Sequence, residues 1–249
     1  MSNNIQNNKK PFEAVYAQAG FVDAGLRRYL LNVYNYMFLG LGVTAVIAYL
    51  ALRLPLLQSL LFEVSPEGYV RSSGLTWVLF FAQLGIVFYL AARVHTMSVV
   101  KAQGLFWLYA GLMGLSLAPI CIIYTGASVF RTFLVTSLTF GSMSLYGYTT
   151  QRNLSTFSSF FTMGLLGLVI AMVVNIFLKS AMMDFVLSAF GVLLFTGLTA
   201  YDTQRIKTLY FEGDSAQTVG QKAVLGALTL YLDFINLFML LLRFTGDRR

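Results

Sequence analysis

Apolar residues in this chain gather into long, nearly uncharged runs instead of alternating with polar ones. Seven runs lie near residues 30–52, 75–92, 104–125, 129–150, 158–178, 184–204 and 223–242. Each approaches the ~20 helical residues that cross a hydrocarbon core of ~30 Å. Inside lipid every backbone N–H and C=O must find a partner within the protein, and runs of this length do so as helices. Strands of a membrane barrel are about half as long and alternate apolar with polar positions; these runs do neither. The pattern therefore predicts an all-α membrane protein with seven transmembrane helices.

Connections are short apart from 53–74 and 205–222, and no linker rich in Pro, Gly or Ser divides the chain. One seven-helix transmembrane domain is expected over residues 29–249, behind a polar N-terminal tail of residues 1–28. That tail has no apolar h-region, so no cleaved signal peptide is expected and the first hydrophobic helix serves as the targeting element. Small residues recur at Gly111 and Gly114, Ser137 and Gly141, Gly164 and Gly167, and Gly191. In a bilayer such positions let helix backbones approach closely.

Composition agrees. Of 249 residues 57% are hydrophobic and 11% charged, against roughly 25% charged in soluble domains. The net charge of +7 raises the question of nucleic acid, but the basic residues stand singly between apolar runs and form no stripe. They read as positive loops at a membrane surface, with lipid and not nucleic acid as the partner. With seven spans, one side receives ten Lys and Arg (Lys9, Lys10, Arg27, Arg28, Arg93, Lys101, Arg152, Arg205, Lys207, Lys222). The other receives seven (Arg53, Arg71, Arg131, Lys179, Arg243, Arg248, Arg249). The bias predicts a cytoplasmic N-terminus and a C-terminus across the membrane. The three arginines after the last run pull the other way, and a last helix that turns back is the alternative.

One cysteine, Cys121, and one histidine, His95, leave no CxxC, HExxH or disulfide. No cofactor and no enzymatic activity are expected.

Two charges break the pattern. Of ten acidic residues only Asp202 and Asp233 fall inside apolar runs, the other eight standing in tails, loops or, as Asp184, at a helix start. An Asp at the centre of a span costs roughly 2.5–3.5 kcal/mol on insertion scales, so it normally faces the protein interior or a watery cavity. Helical spacing puts Asp233 on a stripe with Gly226, Thr229, Asn236 and Leu240. It puts Asp202 on one with Ser188, Gly191, Phe195 and Thr199. Asp202 lies near the inner end of its run, and Asp233 lies about 15 Å inward from the start of the next. Tilt or a broken helix would bring them together, though spacing alone does not require it. Carboxyls that meet cannot easily both ionise, and they titrate as a pair. A structural alternative is an ion pair with Arg93, which ends the second run at the same membrane face.

"GLTAYDTQRIK" (197–207) and "GALTLYLDFINLFMLLLRFTGDRR" (226–249) together resemble the Bax inhibitor-1 family, most closely its bacterial inner-membrane branch. "FGSMSLYGYTTQRNLS" (140–155) and "YNYMFLGLGVTA" (34–45) share the likeness, which covers nearly all of the chain beyond the tail. The resemblance implies six helices surrounding a central C-terminal one. It also implies a pH-sensitive calcium leak gated by an aspartate pair, carried here by Asp202 and Asp233, with Arg93 as the latch of the closed state. Here that end reads "AARVHT", without a run of several basic residues. Calcium takes six to eight oxygen ligands, so two aspartates suit weak, transient binding of a permeant ion. Thr199, Thr229 and Asn236 are candidate supporting groups. The branch also includes proteins associated with a membrane-bound AAA protease, so a non-conducting regulator is a rival reading.

A proton-coupled transporter is a further rival, since intramembrane aspartates relay protons. An intramembrane aspartyl protease would need GxGD before its second aspartate, where this chain has "LYL". A serine protease of that kind lacks its histidine, and a retinal protein lacks a lysine in the last run.

Overall fold

A computed structural model describes residues 9–64 and 70–248, with side chains at 24–61 and 73–248. The helices are α1 Lys9–Arg53, α2 Pro55–Leu61, α3 Leu75–Arg93, α4 Val99–Ile123, α5 Gly126–Thr149, α6 Ser158–Leu178, α7 Ala181–Leu209 and α8 Ala216–Thr245. Short 3-10 turns at Val94–Thr96 and Leu154–Phe157 precede α4 and α6. The long first connection carries α2 and an antiparallel ribbon, β1 Phe62–Val64 with β2 Val70–Ser72.

Every apolar run lies within a helix or reaches just past its end, and most helices extend beyond their runs. The polar flanks contribute Ser and Thr at the N-terminal caps. Ser98, Thr125, Ser180 and Ser215 each accept the backbone N–H three residues on, satisfying donors that the first turn leaves free. The expected polar tail differs most, because α1 already begins at Lys9. Its single proline, Pro11, stands in the first turn, where a missing N–H costs no helical hydrogen bond.

Six helices are long and apolar enough to cross a membrane: Ala24–Arg53, Leu75–Thr96, Val99–Ile123, Leu154–Leu178, Ala181–Leu209 and Ala216–Thr245. The seventh expected span, α5, has 24 residues, or about 36 Å of rise, but a more polar composition. It nevertheless runs the height of the bundle. At one end Thr125 N donates to Asp247 O at 3.1 Å, just past α8. At the other, Lys207 Nζ donates to Tyr148 O at 2.9 Å.

Burial is uneven. In α8, 67% of the apolar stretch is buried, against 6–28% in the other five spans. It packs directly on α1, α4, α5 and α7, whereas α3 lies against α4 and α6 against α7. Tyr231, Leu230, Leu237 and Leu242 of α8 are fully buried. The outer faces of α3 and α6 present Trp77, Phe88, Met163 and Phe177 outward, the composition expected of surfaces solvated by lipid.

Small residues set two crossings where backbone meets backbone. A Cβ on Gly147 of α5 would lie 2.2 Å from Ala200 O of α7, and one on Gly114 of α4 would lie 2.6 Å from Thr44 O of α1. Among the glycines expected to pack, Gly114, Gly164 and Gly191 meet neighbours, while Gly111, Gly141 and Gly167 face open space. Gly147→Ala should therefore cost about 1–3 kcal/mol by forcing α5 and α7 apart. Gly111→Ala should cost nothing, because alanine favours the helix and meets no neighbour. Thermal unfolding of both variants in detergent checks the contrast.

Candidate functional site: a buried carboxyl pair

The two aspartates meet. Asp202 of α7 and Asp233 of α8 are 7% and 5% exposed, and their carboxyl groups interact directly with one another. Neither helix is broken. The register comes from glycines at both ends of the α7–α8 contact: Gly226 sits under Ile206, and Gly191 sits under Leu240. Seven residues up α8 from Gly226 is two turns, which brings Asp233 level with the Thr199–Asp202 turn of α7. The offset expected from the sequence disappears because the first turns of α8 project past the end of the apolar contact. There Lys222 Nζ bonds Leu209 O at 2.8 Å and Asp214 Oδ2 at 2.5 Å.

Among the described residues no hydrogen-bond donor reaches Asp233 Oδ2, although that oxygen is buried. Two carboxyls this close in an apolar bundle cannot easily both ionise, because a second charge would stand beside the first.

The helix stripes proposed for the aspartates fare differently. On α7, Ser188, Gly191, Phe195, Thr199 and Asp202 are all buried. On α8, Gly226, Asp233 and Leu240 are buried, but Thr229 is partly exposed and Asn236 is exposed. Three residues along a helix leave a side chain about 60° out of line, enough to move these two off the packed face. Asn236 therefore does not support the pair. Thr199 Oγ1 and Thr229 Oγ1 donate to Phe195 O and Leu225 O of their own helices at 2.8 and 3.1 Å, so their protons are already engaged.

Arg93 does not latch the pair here. Its side chain is exposed, it forms no ion pair among the described residues, and it lines a polar cleft with Tyr89, Thr96 and Lys101. The reason is its position on α3, one rank removed from α8. Only the chain just after it turns inward, where Val94 is buried and Gln221 Nε2 of α8 bonds Met97 O at 2.7 Å. The basic residue that interacts electrostatically with Asp202 is Arg205, one turn further along α7. Its spacing of three from Asp202 was the available sequence signal.

A polar chain also adjoins the pair. Tyr34 Oη of α1 hydrogen-bonds Ser144 Oγ of α5, and Ser144 Oγ lies 3.1 Å from Thr203 Oγ1, beside Asp202 in α7. Sequence reasoning missed these three, since single hydroxyls in apolar runs carry no spacing signal. Among the described residues no three His, Cys, Asp or Glu side chains cluster for a metal. The acidic chemistry of the core is a pair and nothing larger.

A bundle of lipid-length apolar helices around a protonatable carboxyl pair defines a multi-pass α-helical membrane protein. The model of a family described as "Inhibitor of apoptosis-promoting Bax1" matches residues 26–249. The chain belongs to this Bax inhibitor-1 family. It is 48% identical to an uncharacterized protein of Rickettsia prowazekii over 228 residues, covering 91% of this chain and 92% of the relative. It is 45% identical to the inner membrane protein YbhL of Escherichia coli K12 over 228 residues, covering 91% and 94%. An uncharacterized membrane protein of Streptococcus pyogenes is 35% identical over 234 residues, covering 93% and 96%.

Contact between the carboxyls makes their contributions to stability interdependent. Asp202→Asn and Asp233→Asn, each measured by thermal unfolding in detergent, should not sum to the double variant. The coupling should be about 0.5–3 kcal/mol. Strict additivity would separate the two residues.

Proposed function

We propose that this chain is a pH-sensitive cation leak channel of the bacterial inner membrane, with calcium as the permeant ion and Asp202–Asp233 as its gate. What supports the reading is the direct interaction of two buried carboxyls on neighbouring helices, with no donor reaching Asp233 Oδ2 among the described residues. In the closed form one proton is shared and α7 and α8 stay packed. As pH rises the proton leaves, and like charges repel across the contact. The helices then part, and the freed carboxylates offer hard oxygen ligands to a cation. Calcium takes six to eight oxygens; a pair supplies too few for storage, which suits passage.

In this reading α5 crosses the membrane with the other six, giving seven spans around a C-terminal helix at the centre. The end of the bundle holding the start of α1 is cytoplasmic, in line with the excess of Lys and Arg there. The inner membrane is the location named for the Escherichia coli relative. Arg205, not Arg93, tunes the gate from that side. No cofactor takes part and no bond is made or broken, so the reading assigns no enzyme activity.

The test is calcium flux from liposomes holding the purified protein, followed with an enclosed dye across mildly acid to mildly alkaline pH. Flux should rise with pH in the wild type. Asp202→Asn and Asp233→Asn should each flatten the profile, because Asn keeps the polar contact without titrating. Arg93→Gln should leave it unchanged. Absence of flux at every pH would overturn the channel in favour of a non-conducting regulator, such as one that binds a membrane protease. An unchanged profile in the double variant would remove the gate assignment. Orientation is checked separately with reporters fused to each terminus, which should report opposite compartments.

A further inference from the structure

A cleft of ≈ 440 Å³ opens between α1 and α5, and neither Asp202 nor Asp233 is among its lining residues. Leu31, Tyr34 and Phe38 form one wall, Gly141 and Leu145 the other, and Phe234 of α8 the floor. The cleft faces outward at the depth of the spans, for Leu31, Phe38 and Leu145 are 53%, 59% and 63% exposed. Three of its hydroxyls are already engaged, Ser137 Oγ donating to Phe133 O of its own helix. Tyr34 and Ser144 bond one another, and Ser144 bonds Thr203 behind them. The lining is in effect apolar along its length.

Its charge lies at one end. Arg27 closes the cleft where α1 enters the bundle, and it makes no ion pair among the described residues. Lys207 stands close by, its Nζ 4.9 Å from the centroid of the Tyr148 ring that also lines this end. The nearest loop carboxylate, Asp214, is already paired with Lys222. From Arg27 to Phe38 is eleven residues of helix, about 16 Å, or half of a hydrocarbon core of ~30 Å. A cationic end and an apolar trough one leaflet deep fit one class of amphiphile.

We propose that the cleft binds one acyl chain of an anionic phospholipid from the leaflet at the α1 entry end, with the phosphate at Arg27. A helix from a second copy, at least ~10 Å across, would need more than twice this volume over the same length. A single hydrocarbon chain does not. The chain would lie against Phe234 and brace α1 to α5, which otherwise share little direct packing. The site goes beyond the leak reading and does not depend on it.

Gly141 supplies the probe variant. A Cβ there meets nothing within 4 Å, so a side chain at 141 has room to start into the trough, and Gly141→Leu is the variant that fills it. The experiment uses the full-length protein in vesicles of phosphatidylglycerol and phosphatidylcholine, with a trace of phosphatidylglycerol carrying a photoreactive group in its acyl chain. Labelled sites are mapped by peptide sequencing. Label should concentrate on 27–38 and 137–148, and Gly141→Leu should remove that concentration. Arg27→Gln, at an exposed position, should leave labelling in place but weaken the preference for phosphatidylglycerol over phosphatidylcholine about fivefold, the effect of one basic residue at an anionic surface. Label spread evenly over the outward faces of α3 and α6 would overturn the site. So would undiminished labelling in Gly141→Leu. Equal competition by phosphatidylcholine in the wild type would overturn the anionic headgroup.

Discussion

Hydrocarbon cannot solvate a carboxyl group, and most of this bundle is arranged around that fact. Asp202 and Asp233 would each be costly alone at the depth of a span. Packed against each other they cannot easily both ionise, so the pair carries less charge than two separated aspartates would. The arrangement needs α7 and α8 antiparallel, unbroken and in one register, which Gly226 beneath Ile206 and Gly191 beneath Leu240 secure. It also needs α8 wrapped on several sides. Four helices do this, and the second rank, α3 and α6, faces the lipid.

The same constraint separates what was legible in the sequence from what was not. Long uncharged runs announce helices because lipid forbids alternatives, so the helices could be read closely, six of them long and apolar enough to span. Two aspartates stood out for the same reason, since the runs exclude nearly every other charge. Their meeting could not be read, because it depends on how far α8 projects past the end of α7. That length is set by a loop and by Lys222 reaching back to Leu209. Asn236 and Arg93 were placed at the site by face and by end. Each failed on an angle or a packing rank that spacing does not encode. Glycines divide likewise: Gly147 and Gly141 stand six residues apart on α5, yet one touches a backbone and the other faces the cleft.

The hydroxyl chain Tyr34–Ser144–Thr203 ties the remaining parts together. It runs from the lateral cleft through α5 to the residue beside Asp202, so α1, α5 and α7 are joined by polar contacts at one level. Changes at the cleft and changes at the carboxyls thus press on the same short segment of α7. Family membership does not by itself supply this link; it rests on three side chains that the fold brings together.

The polarity of α5 bears on how the chain is assembled. Its buried face carries Ser128, Thr132, Thr136 and Ser144, and it has its main partners in α7 and α8. Both are synthesised after it. When α5 leaves the ribosome, Thr203 and the Asp247 N–H, which meet Ser144 and Ser128, do not yet exist, and its own side chains offer lipid a weaker reason to hold it than any neighbour does. Its final seat is therefore decided late, by the C-terminal third of the chain. A ribosome stalled before residue 181 would leave the membrane holding a helix whose polar face lacks its two main packing partners.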